Sequence, residues 1–424
     1  YKIALPEPAE SVPEKPCAQP PVIENAYYRV SFTPNGAIDS IYDKSLCREL
    51  IDEHAPFRAA EFVYTRDNHI SFVTPERAAF TLRRERHAAI VTARMNEPVS
   101  GAAIELIVTL PDHERRIELD MRLSHVRDLF NADRYHRYAY CAFPFAVENA
   151  HRVCRLNGCE AEYGRDVTGH GADVYMAAHE WACAENAAFG AALIQADSEL
   201  IEFDHIHPDK TDFGACGDGS QMYVYLANDW LQMHTSGGSA LNFRFRYAIT
   251  SYAGDHKSAH LSDMAERFLN PVIARAVQSG DGTGERARSF LSADAPAQLI
   301  TLKRAEDGRG LIARLSGEGK LPALTLCGEA VPAQSQTADE RDKPETGALT
   351  AFTTLRLCPD RTIKTRPIPD FSGRGAASVP VGATYTGLID RPRAIRGEEE
   401  GMLYILWGRC AEKDHAYDLI YRSE

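Results

Sequence analysis

The sequence lacks any apolar run approaching the roughly 18 residues that a membrane-spanning helix needs, so no membrane-spanning helix is expected in its 424 residues. It also lacks a Cys-x-x-Cys pair. The ten cysteines stand apart at positions 17, 47, 141, 154, 159, 183, 216, 327, 358 and 410, which argues against a dense disulfide framework and reads as reduced thiols in a cytoplasmic protein. Basic charge is short, with 47 Lys and Arg against 60 Asp and Glu and a net charge of −13. Nucleic-acid binding needs a concentrated positive field, so that class is excluded as a partner. No strand-helix-strand alternation appears, which removes the parallel α/β folds. Gly214, Gly217 and Gly219 are followed by no helix start, so they do not form a phosphate-binding loop.

What is present is strand periodicity. Leu241, Phe243, Phe245, Tyr247 and Ile249 occupy every second position, with Asn242, Arg244 and Arg246 between them, the pattern of a half-buried strand. Ile104, Leu106, Val108 and Leu110 repeat it, as do Ile117, Leu119, Met121 and Leu123. Thr33-Pro34-Asn35-Gly36 between two apolar runs predicts a hairpin. Pro144, directly after a Tyr-rich run, cannot donate to a sheet ladder and should end its strand. One helix is expected, with Ser258 as its cap, an apolar stripe of Leu261, Met264, Ala265, Phe268 and Leu269, and Asn270-Pro271 as its stop. The expectation is an all-β protein of large antiparallel sheets followed by smaller sandwich domains, with one connecting helix.

The chain divides accordingly. Residues 1–21 carry six prolines and read as an extended connector from something upstream, and 22–270 form the large sandwich. Residues 271–287 are a linker, 288–383 a second β-sandwich in which Gln334 to Thr346 reads as a polar, mobile loop, and 384–424 a further strand segment.

Several stretches carry a family resemblance. Glu24-Asn25-Ala26-Tyr27-Tyr28-Arg29-Val30, Gly36-Ala37-Ile38-Asp39-Ser40-Ile41-Tyr42-Asp43-Lys44, Phe143-Pro144-Phe145, Asn228-Asp229-Trp230 and Phe243-Arg244-Phe245-Arg246-Tyr247 follow one another in that order. In that order they resemble the C-terminal half of glycoside hydrolase family 38, the α-mannosidases. The resemblance implies a galactose mutarotase-like supersandwich, and the last forty or so residues resemble part of a fibronectin type III-like sandwich. It also implies that the aspartate nucleophile, the acid and the zinc ligands belong to an N-terminal barrel-like domain that would be this chain's partner. Nothing here matches the family's early His-x-Asp zinc pair, so no catalytic residue, metal ligand or cofactor is expected within the chain, and the chain alone is expected to be inactive. The parent reaction would be metal-dependent, retaining hydrolysis of an α-mannoside.

The same resemblance places a tyrosine shortly before the Phe-Pro step, reaching toward the bound sugar, and Tyr140 is the match. Its phenol either donates to a sugar hydroxyl or supports a carboxylate, or it is an ordinary strand tyrosine; both readings stay open. Asp204, His205 and His207, with Asp209, are the one metal-like run. Without an evident fourth ligand it reads as a polar loop after the strand Leu200 to Phe203, with a sugar-contacting role as the alternative. Trp230, in a loop-like Asn-Asp-Trp-Leu, is a candidate groove residue, whereas Trp181 reads as core. Two other functions stay open: a free-standing carbohydrate-binding or scaffold protein, and a mutarotase-like sugar epimerase, which would need a His and a Glu converging on a groove. The alternating Phe-Arg-Phe-Arg strand is a possible homo-oligomer edge.

Overall fold

A computed structural model describes residues 13–66, 71–98, 102–124, 138–156, 159–166, 175–207, 217–228, 242–271, 289–317, 319–344, 347–350, 352–362, 393–396, 403–410 and 415–423. The fold is all-β and antiparallel, with one α-helix among the described residues. A ten-stranded sheet runs in the order Lys15–Cys17, Ala78–Arg84, Ala88–Asn96, Ala103–Pro111, Ile117–Ser124, Phe243–Ala253, Phe189–Gln195, Trp181–Glu185, His151–Leu156, Cys159–Glu162. A six-stranded sheet runs Met176–Ala177, Leu200–Phe203, Gln221–Asn228, Tyr138–Pro144, Glu61–Arg66, Ser71–Val73. A four-stranded sheet is made of Val22–Glu24, Tyr28–Phe32, Ile38–Asp43 and Arg48–Glu49. Within the stretch read as a connector, Lys15–Cys17 adds an edge strand by pairing with Phe80 to Leu82.

The alternation seen in the sequence becomes register. Ile104, Leu106 and Val108 stand opposite Leu123, Met121 and Leu119, which in turn face Phe243, Phe245 and Tyr247. These side chains form one continuous core with Phe62, Ala139, Cys141, Phe143, Phe203 and Val224 of the six-stranded sheet. The intervening residues make a charged ladder on the opposite face. Arg94 Nε donates to Glu105 at 2.9 Å, Arg122 Nη2 and Arg244 Nη2 donate to Asp120 at 2.7 and 2.8 Å, and Arg246 Nε donates to Asp197 at 2.8 Å. Asp120 is held below its ordinary carboxylate value: partial burial pushes it up, but the bonds from Arg244 and Arg122 outweigh that.

The family-like motifs at the N-terminus are structural. Asn25 Oδ1 accepts from the backbone N–H of Tyr27 and Tyr28 at 2.8 and 2.7 Å, while its amide donates to the carbonyls of Pro111 and Glu114 at 2.6 and 3.2 Å. It shapes a turn and pins it to the hairpin that joins Ala103–Pro111 to Ile117–Ser124. Asp43, with no exposed surface, accepts from Arg115 Nη2 and Ser251 Oγ, each at 2.5 Å, and Ser251 meets the Tyr28 hydroxyl at 2.9 Å. One buried carboxylate thus joins the four-stranded sheet to the ten-stranded one.

Gly190 has a different duty. It faces Tyr252 in register, and a β-carbon there would collide with the Tyr252 ring, which fills the place of a side chain. Gly190→Ala is expected to destabilise the protein by about 1–3 kcal/mol through overpacking. An unchanged urea midpoint would show that the ring has room to move.

The helix Leu261–Leu269 lies on the outer face of the ten-stranded sheet, with Leu261 and Ala265 packed against Val153, Trp181, Ile194 and Tyr252. Ser258 does not cap it. The residue before the helix is His260, in the left-handed region at φ 54°, without a side-chain cap. Ser258 instead closes the preceding turn, its N–H donating to Asp255 Oδ1 at 2.7 Å and its hydroxyl to the Asp255 carbonyl at 3.0 Å. The nearer acceptor captured it.

The second sandwich has a four-stranded sheet, Gln298–Arg304, Arg309–Ser316, Thr353–Thr362 and Ala333–Gln336, over a core of Ala313, Leu315, Leu324, Leu349, Leu355 and Leu357. The stretch from Gln334 read as a polar loop therefore begins as a strand. Polar Ser335 and Gln336 are buried there because the backbone pairs with Thr353–Thr362 and Gln336 Nε2 donates to Asp342 at 2.8 Å. Farther on, Arg393–Arg396, Leu403–Cys410 and His415–Ser423 form a three-stranded antiparallel sheet.

Arg155 ties the two sandwiches together. Its side chain is 7% exposed and lies 3.1 Å from Glu180. It donates to Ser262 at the start of the helix at 3.4 Å, to Ser316 at 3.3 Å, and to Gln298. Trp181, read as core, is fully buried and its indole N–H also donates to Ser262, at 3.2 Å.

Candidate functional site

The strand Tyr138–Pro144 sits inside the six-stranded sheet and is buried on both faces. Ala139, Cys141 and Phe143 enter the inter-sheet core. Tyr138, Tyr140 and Ala142 point the other way, into a second cluster with Val63, Ile206 and Tyr223. A shift of register between Ala139 and Tyr140 sets Tyr140 opposite Tyr225, and the Tyr138, Tyr140 and Tyr225 rings meet at 5.2 to 6.3 Å. Pro144 ends the strand, and Phe145 bridges to Ile51.

The Tyr140 hydroxyl donates to Glu202 Oε1 at 2.8 Å. Glu202 lies on Leu200–Phe203, where Ile201 and Phe203 take the core and leave Glu202 on the tyrosine face with no exposure. Its second oxygen accepts the His207 backbone N–H at 2.8 Å and stands 3.3 Å from His207 Nδ1. The chain folds back in this way because Asp204 adopts φ 71°. That conformation is uncommon for a residue with a side chain, and here the side chain holds it: Asp204 Oδ1 accepts from Gly219 N–H at 2.7 Å, and Oδ2 stands 2.6 Å from His205 Nδ1. Gly217 and Gly219 are glycines for a steric reason, since a β-carbon on either would collide with the Asp204 carboxylate. Burial pushes the Tyr140 phenol well above its ordinary value, and the Glu202 charge adds to it. Tyr140 is therefore a proton donor fixed on a carboxylate.

Of the residues singled out from sequence, the structure gathers Tyr140 and His207 on Glu202. Asp204 and His205 pair with each other, and the His205 and His207 rings lie 4.1 Å apart, with His205 exposed and His207 buried. Trp230 and Asp209 lie outside the described residues. Glu202 was missed. The signal available was the alternation Ile201, Glu202, Phe203, which places the carboxylate opposite the core but says nothing of what closes over it.

A second titratable cluster lies on the outer face of the ten-stranded sheet. His256 Nδ1 stands 2.7 Å from Glu185 Oε1, and its Nε2 is 3.2 Å from Glu160, which also pairs with Lys257 at 3.3 Å. The Tyr252 hydroxyl and the His256 backbone N–H both donate to Glu185 Oε2 at 2.8 Å, and Cys183 Sγ is 3.8 Å from the same oxygen. Burial lowers the His256 value, but bonds to Glu160 and Glu185 overcome that and carry it up to about 9. The same His256 bond draws Glu160 down to about 2. Burial pushes the Cys183 thiol well up. His256 lies far from Cys183 and Glu185 in sequence; the sheet register, not spacing, brings them together. An epimerase needs a His and a Glu converging on a groove. The two buried His–Glu pairs described above, His207–Glu202 and His256–Glu185, are closed upon themselves, with His207, Glu202 and Glu185 buried and His256 nearly so.

No protein-family model matches the sequence, and no curated protein does. Solved structures do match. A protein in the glycosyl hydrolase family 38 from Enterococcus faecalis superposes with a TM-score of 0.56 at 14% identity, over 81% of this chain and 44% of its own length. The matched part of that structure shares this chain's fold. An alpha-mannosidase from Enterococcus faecalis V583 gives a TM-score of 0.56 at 13% identity, over 81% of this chain and 43% of its own. The chain thus spans less than half the length of these family 38 structures. None of the described cysteines is in a disulfide, and no helix among the described residues is long and apolar enough to cross a membrane.

Proposed function

We propose that this chain is the accessory, pocket-forming β region of an α-mannosidase-like glycoside hydrolase. The observation that carries the reading is the fold match with family 38 structures over four-fifths of this chain and under half of theirs. In this reading the nucleophile, the acid and a zinc ion belong to a preceding catalytic domain, the partner of this chain. Zinc there would act as a Lewis acid on the sugar. The reaction is retaining hydrolysis of an α-mannoside, for which two carboxylates must flank the anomeric carbon.

The contrast between the two outer sheet faces supports the assignment. The outer face of the ten-stranded sheet carries a solvated charge ladder and a helix, whereas the outer face of the six-stranded sheet gathers tyrosines around a buried carboxylate. The second is the face suited to a partner domain, with Tyr140 held by Glu202 as the group that positions the wall of the sugar site.

In the protein that includes the catalytic domain, Tyr140→Phe is expected to lower kcat/KM on an aryl α-mannoside at least tenfold, because the wall that the Tyr140–Glu202 bond holds in place shifts against the substrate. Stability should fall by about 1.5–3 kcal/mol, the worth of a hydrogen bond to a charged group. Equal kcat/KM for variant and parent would return Tyr140 to a purely structural role. The 424-residue chain alone should release no mannose, and turnover by it unaided would overturn the reading.

A further inference from the structure

Cys183, Glu185 and His256 each present a ligating atom, and these atoms lie within 4.8 Å of one another. Among the described residues no other set of metal-ligating side chains gathers in this way. We propose that they form a binding site for one divalent ion of the zinc type, tying the turn before the helix to the ten-stranded sheet. This site is separate from the zinc assigned above to the preceding catalytic domain and does not depend on that reading.

Four features of the geometry point there. Cys183 and Glu185 are two apart on one strand, so both side chains leave the same face of the sheet. His256 arrives from the turn after Phe243–Ala253 with Nδ1 toward Glu185, while Nε2 is at ion-pair distance from Glu160. A ligating histidine characteristically has its second nitrogen on a carboxylate, which fixes the ring. Glu160 is in turn neutralised by Lys257. The Tyr252 hydroxyl on Glu185 Oε2 supplies either a fourth donor or the bond that orients the carboxylate. Thiolate, imidazole and carboxylate together suit a borderline ion such as zinc rather than magnesium or calcium.

The fit needs only small movements. Zinc bonds of about 2.0–2.3 Å place tetrahedral donors roughly 3.3–3.8 Å apart. The Sγ to Oε2 distance of 3.8 Å already matches, and Nδ1, now 2.7 Å from the other oxygen, Oε1, requires the carboxylate or the ring to turn so that one oxygen serves both. Charge also balances. The thiol proton of Cys183 and the Nδ1 proton of His256 leave for solvent as the doubly charged ion enters, so the buried cluster keeps the same net charge.

The test is titration of the reduced 424-residue chain with Zn²⁺ and Co²⁺ at pH 7.5. We expect one ion per chain, about two protons released per Zn²⁺ by calorimetry in buffers of different ionisation enthalpy, and a sulfur-to-cobalt charge-transfer band in the near ultraviolet. Cys183→Ser should abolish the band, and Cys159→Ser, at an exposed thiol, should leave it unchanged. Should Cys183→Ser fail to fold, X-ray absorption of the zinc-loaded parent decides, with one sulfur among nitrogen and oxygen donors expected. Absence of stoichiometric binding, a band that survives Cys183→Ser, or a zinc shell with no sulfur or several would each overturn the site.

Discussion

Asp43→Ala is expected to cost about 3 kcal/mol, the lower end of the range for removing one partner of a buried charge pair, because Arg115 keeps 23% of its side chain in water. The carboxylate has no exposed surface and satisfies four donors: Arg115 Nη2, the Ser251 hydroxyl, and the backbone N–H groups of Ser45 and Leu46 at 2.8 and 2.9 Å. Alanine takes the acceptor from all four at the seam between two sheets, and of these the Ser251 hydroxyl still has the Tyr28 hydroxyl as a partner. Arg115 suffers most, because its Nε remains tied to the Ser251 carbonyl at 2.7 Å and cannot swing freely into water. Asp43→Asn keeps the shape and the turn acceptor but loses the charge, so its cost should be smaller than that of alanine and still above 1 kcal/mol, as expected of a charge-assisted bond. Guanidinium unfolding of both variants checks this order. A cost below about 1 kcal/mol for alanine would mean that water reaches the seam and that the carboxylate does not hold the sheets together.

That seam was legible in part. Asn-Gly at positions 35 and 36 gave the hairpin, and Gly36 takes φ 100°, as the turn requires. The two-residue period gave the strands from 103 to 124 and their buried side, because each has one solvated face. What sequence could not give was any pairing that depends on which strands become neighbours. Asp43 meets Ser251 across 208 residues, and Tyr140 meets Glu202 across 62. Glu202 shows the difficulty most clearly, since period two marks it as facing away from the core and therefore wet. It is dry because this sheet has a second buried face, where a left-handed residue at 204 folds His207 back over it. Local rules failed likewise at Ser258, where a nearer turn acceptor won over the helix end, and at Ser335 and Gln336, where a neighbouring strand buried polar side chains.

The same limit hid the joint between the sandwiches, and Arg155 is where it can be tested. Arg155 and Glu180 lie on the large sandwich, Ser262 on the helix, and Gln298 and Ser316 on two paired strands of the second sandwich. Arg155→Ala is therefore expected to cost about 3 kcal/mol, the lower end of the buried-pair range, because Glu180 keeps 25% of its side chain in water. The loss should be unevenly placed. The large sandwich has its own continuous core and should keep its amide protection, while the second has a smaller cluster and should lose protection in Gln298–Arg304 and Arg309–Ser316. Calorimetry of the variant should then resolve a lower-temperature transition for the second sandwich. Glu180→Gln separates the arms: it removes the charge partner but leaves the bonds to Gln298 and Ser316, so the two sandwiches should still melt together. If Arg155→Ala also melts in one transition with unchanged protection at 298–316, the sandwiches are joined by something other than this guanidinium, and its bonds to both are incidental.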